Sequence, residues 1–145
     1  MIYPSNFETK IQFSEIRSLL KGYCLSQLGK DKVDTMAFSD DAEQINMALR
    51  QTREFRRMQE EVDDFPLQFF FDMRASIKRI RIEGTHLEEN EIFDLRRSLE
   101  TIAGIVRFLN RSDDEGNFDY PTLHSLTEDV LTFPDLILRI DQILE

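Results

Sequence analysis

Apolar residues recur along this chain mostly at intervals of three and four, the spacing that gathers side chains on one face of an α-helix. The longest run is Ile92, Leu95, Leu99, Ile102, Val106 and Leu109, with successive gaps of 3, 4, 3, 4 and 3. That alternation is the a/d repeat of helices packed at shallow angles. It predicts one long helix from Glu89 to about Arg111, roughly 34 Å long at 1.5 Å per residue. Phe93, Ile105 and Phe108 widen the stripe, so more than one neighbour is expected against it.

The remaining pattern is also helical. After a short extended lead from Phe7 to Phe13, Ser14 is expected to cap a helix carrying Ile16, Leu19, Leu20 and Tyr23. Ser26 should cap a second, short helix through Leu28 and Val33 toward Met36, in which Gly29 suits a close helix approach. Asp40 and Glu43 have capping-box spacing and predict a helix over 41–62 with Ile45, Leu49, Thr52, Phe55 and Val62 near one face. Pro66 forces its end. Phe65 to Phe71 has no partner strand and reads as an irregular connector whose rings plug the core.

A short basic helix is expected from Asp72 to about Arg81, with Met73, Ile77 and Ile80 pointing inward, followed by a turn at Gly84. Residues 112–119 form a polar loop. Pro121 opens a helix with Leu123, Leu126, Val130 and Leu131, which Pro134 ends or kinks. Leu136, Ile140 and Ile143 begin a last stripe still running at Glu145, as in a fragment of something longer.

Composition narrows the class. The chain has 145 residues, enough for a single core, and its 5 glycines and 4 prolines are too few for the turns of a sandwich or barrel. The expectation is an all-α, bundle-like single domain over 1–145. Cys24 is the one cysteine, so a disulfide-stapled fold is excluded. No stretch approaches the roughly 20 apolar residues of a membrane span, and the first residues show no leader. A soluble, cytoplasmic protein is the expectation. With 28 acids against 18 bases the net charge is -10, which opposes strong unaided binding to polyanions.

Chemistry is sparse. His86 and His124 lack metal-ligand spacing, and Cys24 reads as a small core thiol. Asp113, Glu115, Asn117 and Asp119 imitate a calcium loop, but glycine falls fourth instead of sixth and His124 stands where a bidentate glutamate should close the site. No phosphate cradle or nucleophile elbow is present. No catalytic, cofactor-binding or metal-ligating residue is therefore assigned, and no enzyme is expected in this chain.

Charge clustering is more informative. Arg74, Lys78, Arg79 and Arg81 face the single acid Asp72 between residues 65 and 82, and Arg50, Arg53, Arg56 and Arg57 form a second group. One reading is a surface that touches phosphate. The other pairs these arginines with Glu60, Glu61, Asp63, Asp64 and further acids. The second reading has the advantage because no exposed aromatic residues interleave with the cations. Arg74, Lys78, Arg79 and Arg81 are the candidate nucleic-acid contacts. The phenylalanine-rich segment is either core or a docking patch for a missing domain.

At Asp72-Met73-Arg74-Ala75-Ser76-Ile77-Lys78-Arg79 the chain resembles the amino-terminal region of the bacterial MutS-two proteins, whose pattern there is roughly D-I-R-x-x-L-K-R. Gly84, Leu87, Glu91 and Ile92 continue that pattern in register. Ser26-Gln27-Leu28-Gly29-Lys30 resembles the family's S-E-L-G-K, and Gln51-Thr52-Arg53-Glu54 its E-T-x-E. The likeness covers about residues 7–110, and more loosely 120–145. Two places differ: Glu88-Glu89 replaces a serine-proline helix start, and the lead into Asp72 is phenylalanine-rich instead of glycine-rich.

The resemblance implies a parent protein that is a homodimeric ATPase using ATP and Mg. It binds branched DNA, takes part in DNA repair, restrains recombination, and in some bacteria acts on collided ribosomes. Many such proteins end in a nuclease domain. Lever, clamp, ATPase and nuclease would all lie outside this chain, leaving it as a non-catalytic helical piece that couples ATPase and clamp movements. The alternative is a stand-alone helical adaptor for a protein partner.

Overall fold

The computed structural model describes residues 6–144. The leader reading of residues 1–5 and the last residue of the running stripe, Glu145, lie outside them. The described residues are all-α, with eight α-helices, one 3-10 turn and no strand. Among them no helix is long and apolar enough to cross a membrane. The chain divides into two compact units, Met1–Phe38 and Ser39–Glu145.

The first unit contains α1 (Phe7–Lys10), α2 (Phe13–Tyr23) and α3 (Gln27–Thr35). The expected extended lead is a helical turn, and α2 starts after Gln12 instead of at Ser14, with Gln12 left-handed at φ 60°. The cause is a distant side chain. Arg17 on α2 meets both carboxylate oxygens of Glu8 on α1, at 2.8 and 2.6 Å, so α1 must fold back toward α2. Arg17 also donates to the carbonyls of Val33 and Met36 at the end of α3. Lys21 adds an ion pair to Asp34 at 2.8 Å.

Ser26 caps α3 as expected, its hydroxyl accepting the Gly29 N–H at 3.4 Å. Gly29 serves the turn between α2 and α3 and not a helix crossing, since a Cβ there would lie 3.3 Å from the Cβ of Cys24. Ile16, Leu19, Leu20 and Tyr23, the predicted stripe on α2, are all exposed.

The second unit holds α4 (Ala42–Glu61), α5 (Arg74–Arg79), α6 (Glu89–Leu109), α7 (Pro121–His124), a 3-10 turn (Ser125–Thr127) and α8 (Pro134–Leu144). Asp41, one residue beyond the expected Asp40, caps α4 by accepting the N–H groups of Glu43 and Gln44 at 2.9 and 3.1 Å. The core gathers Met58, Phe108, Leu109, Tyr120 and Leu123, with Phe55, Val62, Phe65 and Ile105 packed against it. Phe65 stands edge-on to Phe55 at 5.9 Å and to Phe108 at 5.1 Å, the favourable geometry for opposed ring quadrupoles. Only the second half of α4 reaches this core; Ile45 and Leu49 are exposed.

The helix expected from Pro121 to Leu131 stops early. Ser125 and Thr127 hydroxyls donate to the carbonyls of Thr122 and His124, both at 2.7 Å, competing with helical hydrogen bonding, and Leu126 and Leu131 are left exposed. Pro134 begins α8, where its missing N–H costs nothing. Arg96 fastens α8 to α6 through Asp141 at 2.6 Å. In the loop before α7, the Asp113 carboxylate accepts the N–H groups of Glu115 and Asn117 at 3.0 and 2.8 Å, and these bonds, those of Asn117 foremost, lower its pKa.

Candidate nucleic-acid interface

The candidate basic residues lie on and just after α5, and α6 positions them. Segment 66–79 runs antiparallel along α6, fastened at successive points. Gly104 faces Pro66, whose Cγ a Cβ there would touch at 3.4 Å. The buried Thr101 hydroxyl donates to the Gln68 carbonyl at 2.9 Å. The Arg97 guanidinium lies 5.3 Å from the Phe69 ring centre. At the far end Glu91 accepts the Ser76 hydroxyl at 2.7 Å and a guanidinium N–H of Arg79.

Glu91 is the hub of that end. It also accepts the Glu88 N–H at 2.8 Å, which starts α6 without the serine-proline pair. The Arg79 guanidinium, the Ser76 hydroxyl and the Glu88 N–H together hold its pKa down to about 2. The Arg74 guanidinium likewise holds Asp72 down to about 2, assisted by the Arg74 N–H. Thr85 closes α5 by donating to the carbonyls of Arg79 and Ile82, both at 2.7 Å, after the turn that Gly84 makes at φ 81°.

The four candidates therefore divide. Arg74 is engaged by Asp72 at 2.7 Å and Arg79 by Glu91. Lys78 and Arg81 carry no ion pair among the described residues. The apolar side of α5 is looser than expected: Met73 is buried, but Ile77 and Ile80 are exposed. In the second cluster Arg56 and Arg57 pair with Glu60 and Glu61 one turn on, while Arg50 and Arg53 have no such partner among the described residues.

Two residues of this region were not singled out by sequence. Phe69 is 47% exposed, so the rings of the connector do not all plug the core. It is also left-handed at φ 60°, a conformation that costs a bulky L residue roughly 1–2 kcal/mol. An exposed aromatic residue beside a cation is thus present after all. Arg97 was hidden because its role depends on where the connector runs.

A cleft of about 950 Å³ lies between the connector, α6 and α8, and neither Lys78 nor Arg81 lines it. Two of its acids, Asp64 and Asp141, are paired with Arg111 and Arg96. Among the described residues no three His, Cys, Asp or Glu side chains converge as metal ligands.

No family model matches the chain, and no solved structure matches it significantly. It is similar to proteins named Endonuclease MutS2. The one from Latilactobacillus sakei is 25% identical over 130 residues, covering 90% of this chain and 16% of that protein. The one from Bacillus cereus is 27% identical over 130 residues with the same coverage. The one from Levilactobacillus brevis is 25% identical over 135 residues, 93% of this chain and 17% of that protein. The chain is thus all-α in its described residues and similar to part of these proteins, spanning about a sixth of the length of the curated relatives it matches.

Proposed function

We propose that this chain is a non-catalytic helical segment of a MutS2-like DNA-binding ATPase, and that it carries movement between the ATPase and the nucleic-acid clamp of the parent. The observation that carries the reading is coverage: similarity extends over 90% of this chain but only 16% of the relative. Polar joints support a stiff role, since Glu91 ties α5 to α6, and Arg96 ties α6 to α8. Packed helices joined in this way shift as bodies. Of the four candidate cations, Lys78 and Arg81 are left for phosphate. The parent's partners are DNA or the ribosome, its cofactors ATP and Mg, and its place the cytoplasm.

The test compares this 145-residue chain with the full product of its gene. The expected result is ATP turnover only in the longer protein, from a reading frame that continues into a phosphate-binding loop. In that protein Glu91→Ala should abolish stimulation of turnover by DNA and leave unstimulated turnover in place. Turnover by the 145-residue chain itself, or a stop codon directly after Glu145, would overturn the reading.

A further inference from the structure

Phe69 has a position that core packing does not explain. Its neighbours Pro66 and Gln68 are pinned to α6 through Gly104 and Thr101, which holds the Phe69 ring outward. The ring is flanked by the Arg97 guanidinium and stacked at 6.3 Å, with planes 26° apart, on Phe71. Arg97 has no ion pair among the described residues, so its charge stays available beside the open ring.

We propose that Phe69 and Arg97 form a binding site for an unpaired nucleobase, with the adjoining phosphates of the same strand reaching Lys78 and Arg81. The inference rests on the nucleic-acid reading given above and adds a ligand class and a site to it. A base offers a flat π face to Phe69 and to the guanidinium plane, the pairing by which single strands are held without regard to sequence. Spacing agrees. Along α6, Arg97 and the Arg79 anchor Glu91 are six residues apart, about 9 Å of rise. That is two to three nucleotides at roughly 3.4 Å each in a stacked strand. Charge favours nucleic acid over a protein partner, because Arg97 beside the ring has no ion pair among the described residues, and neither do Lys78 and Arg81, which flank the Arg79 anchor in sequence.

The glycine variant provides a clean test. At φ 60° Phe69→Gly removes the ring and relieves the backbone, so the fold should survive, which circular dichroism checks. The 145-residue chain is titrated at about 50 mM salt with a fluorescent single strand of about 12 nucleotides carrying 2-aminopurine, and with the matching duplex.

Expected are tighter binding to the single strand than to the duplex, quenching of 2-aminopurine, and an affinity loss of about 10-fold in Phe69→Gly that Phe69→Trp restores. Phe69→Gly should leave the salt slope unchanged. Lys78→Ala with Arg81→Ala should reduce it by about 1.4. Duplex bound at least as tightly as single strand would overturn the base site, as would wild-type affinity in Phe69→Gly. If the lysine–arginine pair still matters in that case, the phosphate reading survives and the base site alone falls. Absence of any single-strand binding would also overturn it and assign the ring to a protein partner.

Discussion

The carboxylate of Glu54 accepts the backbone N–H of Leu123 at 2.8 Å, joining residues 69 positions apart. Its other oxygen accepts the Thr122 N–H at 3.1 Å, so one side chain satisfies two first-turn donors of α7. Hydrogen bonds to a charged acceptor are among the stronger ones. Glu54→Ala should therefore destabilise the second unit by about 1–3 kcal/mol. Glu54→Gln, which keeps one carbonyl acceptor, should lose less. Urea denaturation followed by helical ellipticity measures both.

Gly104 separates two opposing effects. Alanine in its place would gain about 1 kcal/mol of helix propensity. Its methyl group would meet Pro66 at 3.4 Å, an ordinary contact. Gly104→Ala should thus raise stability by about 0.5–1 kcal/mol. A leucine has no such room and would push the connector off α6, at a loss of about 1–3 kcal/mol. The two variants should shift the denaturation midpoint in opposite directions.

Acid should loosen the α5–α6 joint. The pKa of Glu91 falls from an ordinary 4.5 to about 2 on folding. A carboxyl shifted down stabilises the fold above its unfolded pKa, and the contribution is lost as pH falls through the folded value. Stability should therefore decline between about pH 4.5 and pH 2, with Asp72 contributing over the narrower window from 3.8 to about 2. Glu91→Gln should flatten that decline in thermal melts while lowering the neutral-pH melting temperature. An unchanged pH slope would contradict the assignment.

Arg17 should resist conservative replacement. It reaches Glu8 through two nitrogens and the α3 carbonyls of Val33 and Met36 as well, a fork that a lysine ammonium cannot span. Arg17→Lys should accelerate amide hydrogen exchange across α1 and the last turn of α3, nearly as much as Arg17→Ala. The second unit serves as the internal control, since Arg17 makes none of these bonds to it.

The sequence is legible where the physics is local. The a/d run located α6 to within two residues, and Ser26 and the aspartates at 40–41 marked helix starts because a cap acts over three residues. Features set by distant partners stayed hidden. The helical turn α1 depends on Glu8 finding Arg17, and neither Glu54 nor Thr101 announces a backbone partner 33 or more positions away. Periodicity also shows which side chains could be covered, not whether a neighbour covers them. Ile45, Leu49 and Leu131 share the apolar character of the core and remain exposed. Of the four connector phenylalanines, composition alone distinguishes neither Phe65, which enters the core, nor Phe69, which leaves it.

The antiparallel course of segment 66–79 along α6 makes the second unit mechanically anisotropic. Tension along the α6 axis loads the Pro66, Gln68, Phe69 and Arg79 fasteners in shear, all at once. A pull outward from the Gly84 turn meets the Arg79–Glu91 pair first and opens them one after another, like a zip. The same four attachments that resist sliding are weak against peeling, and the direction of an applied force decides which behaviour the unit shows.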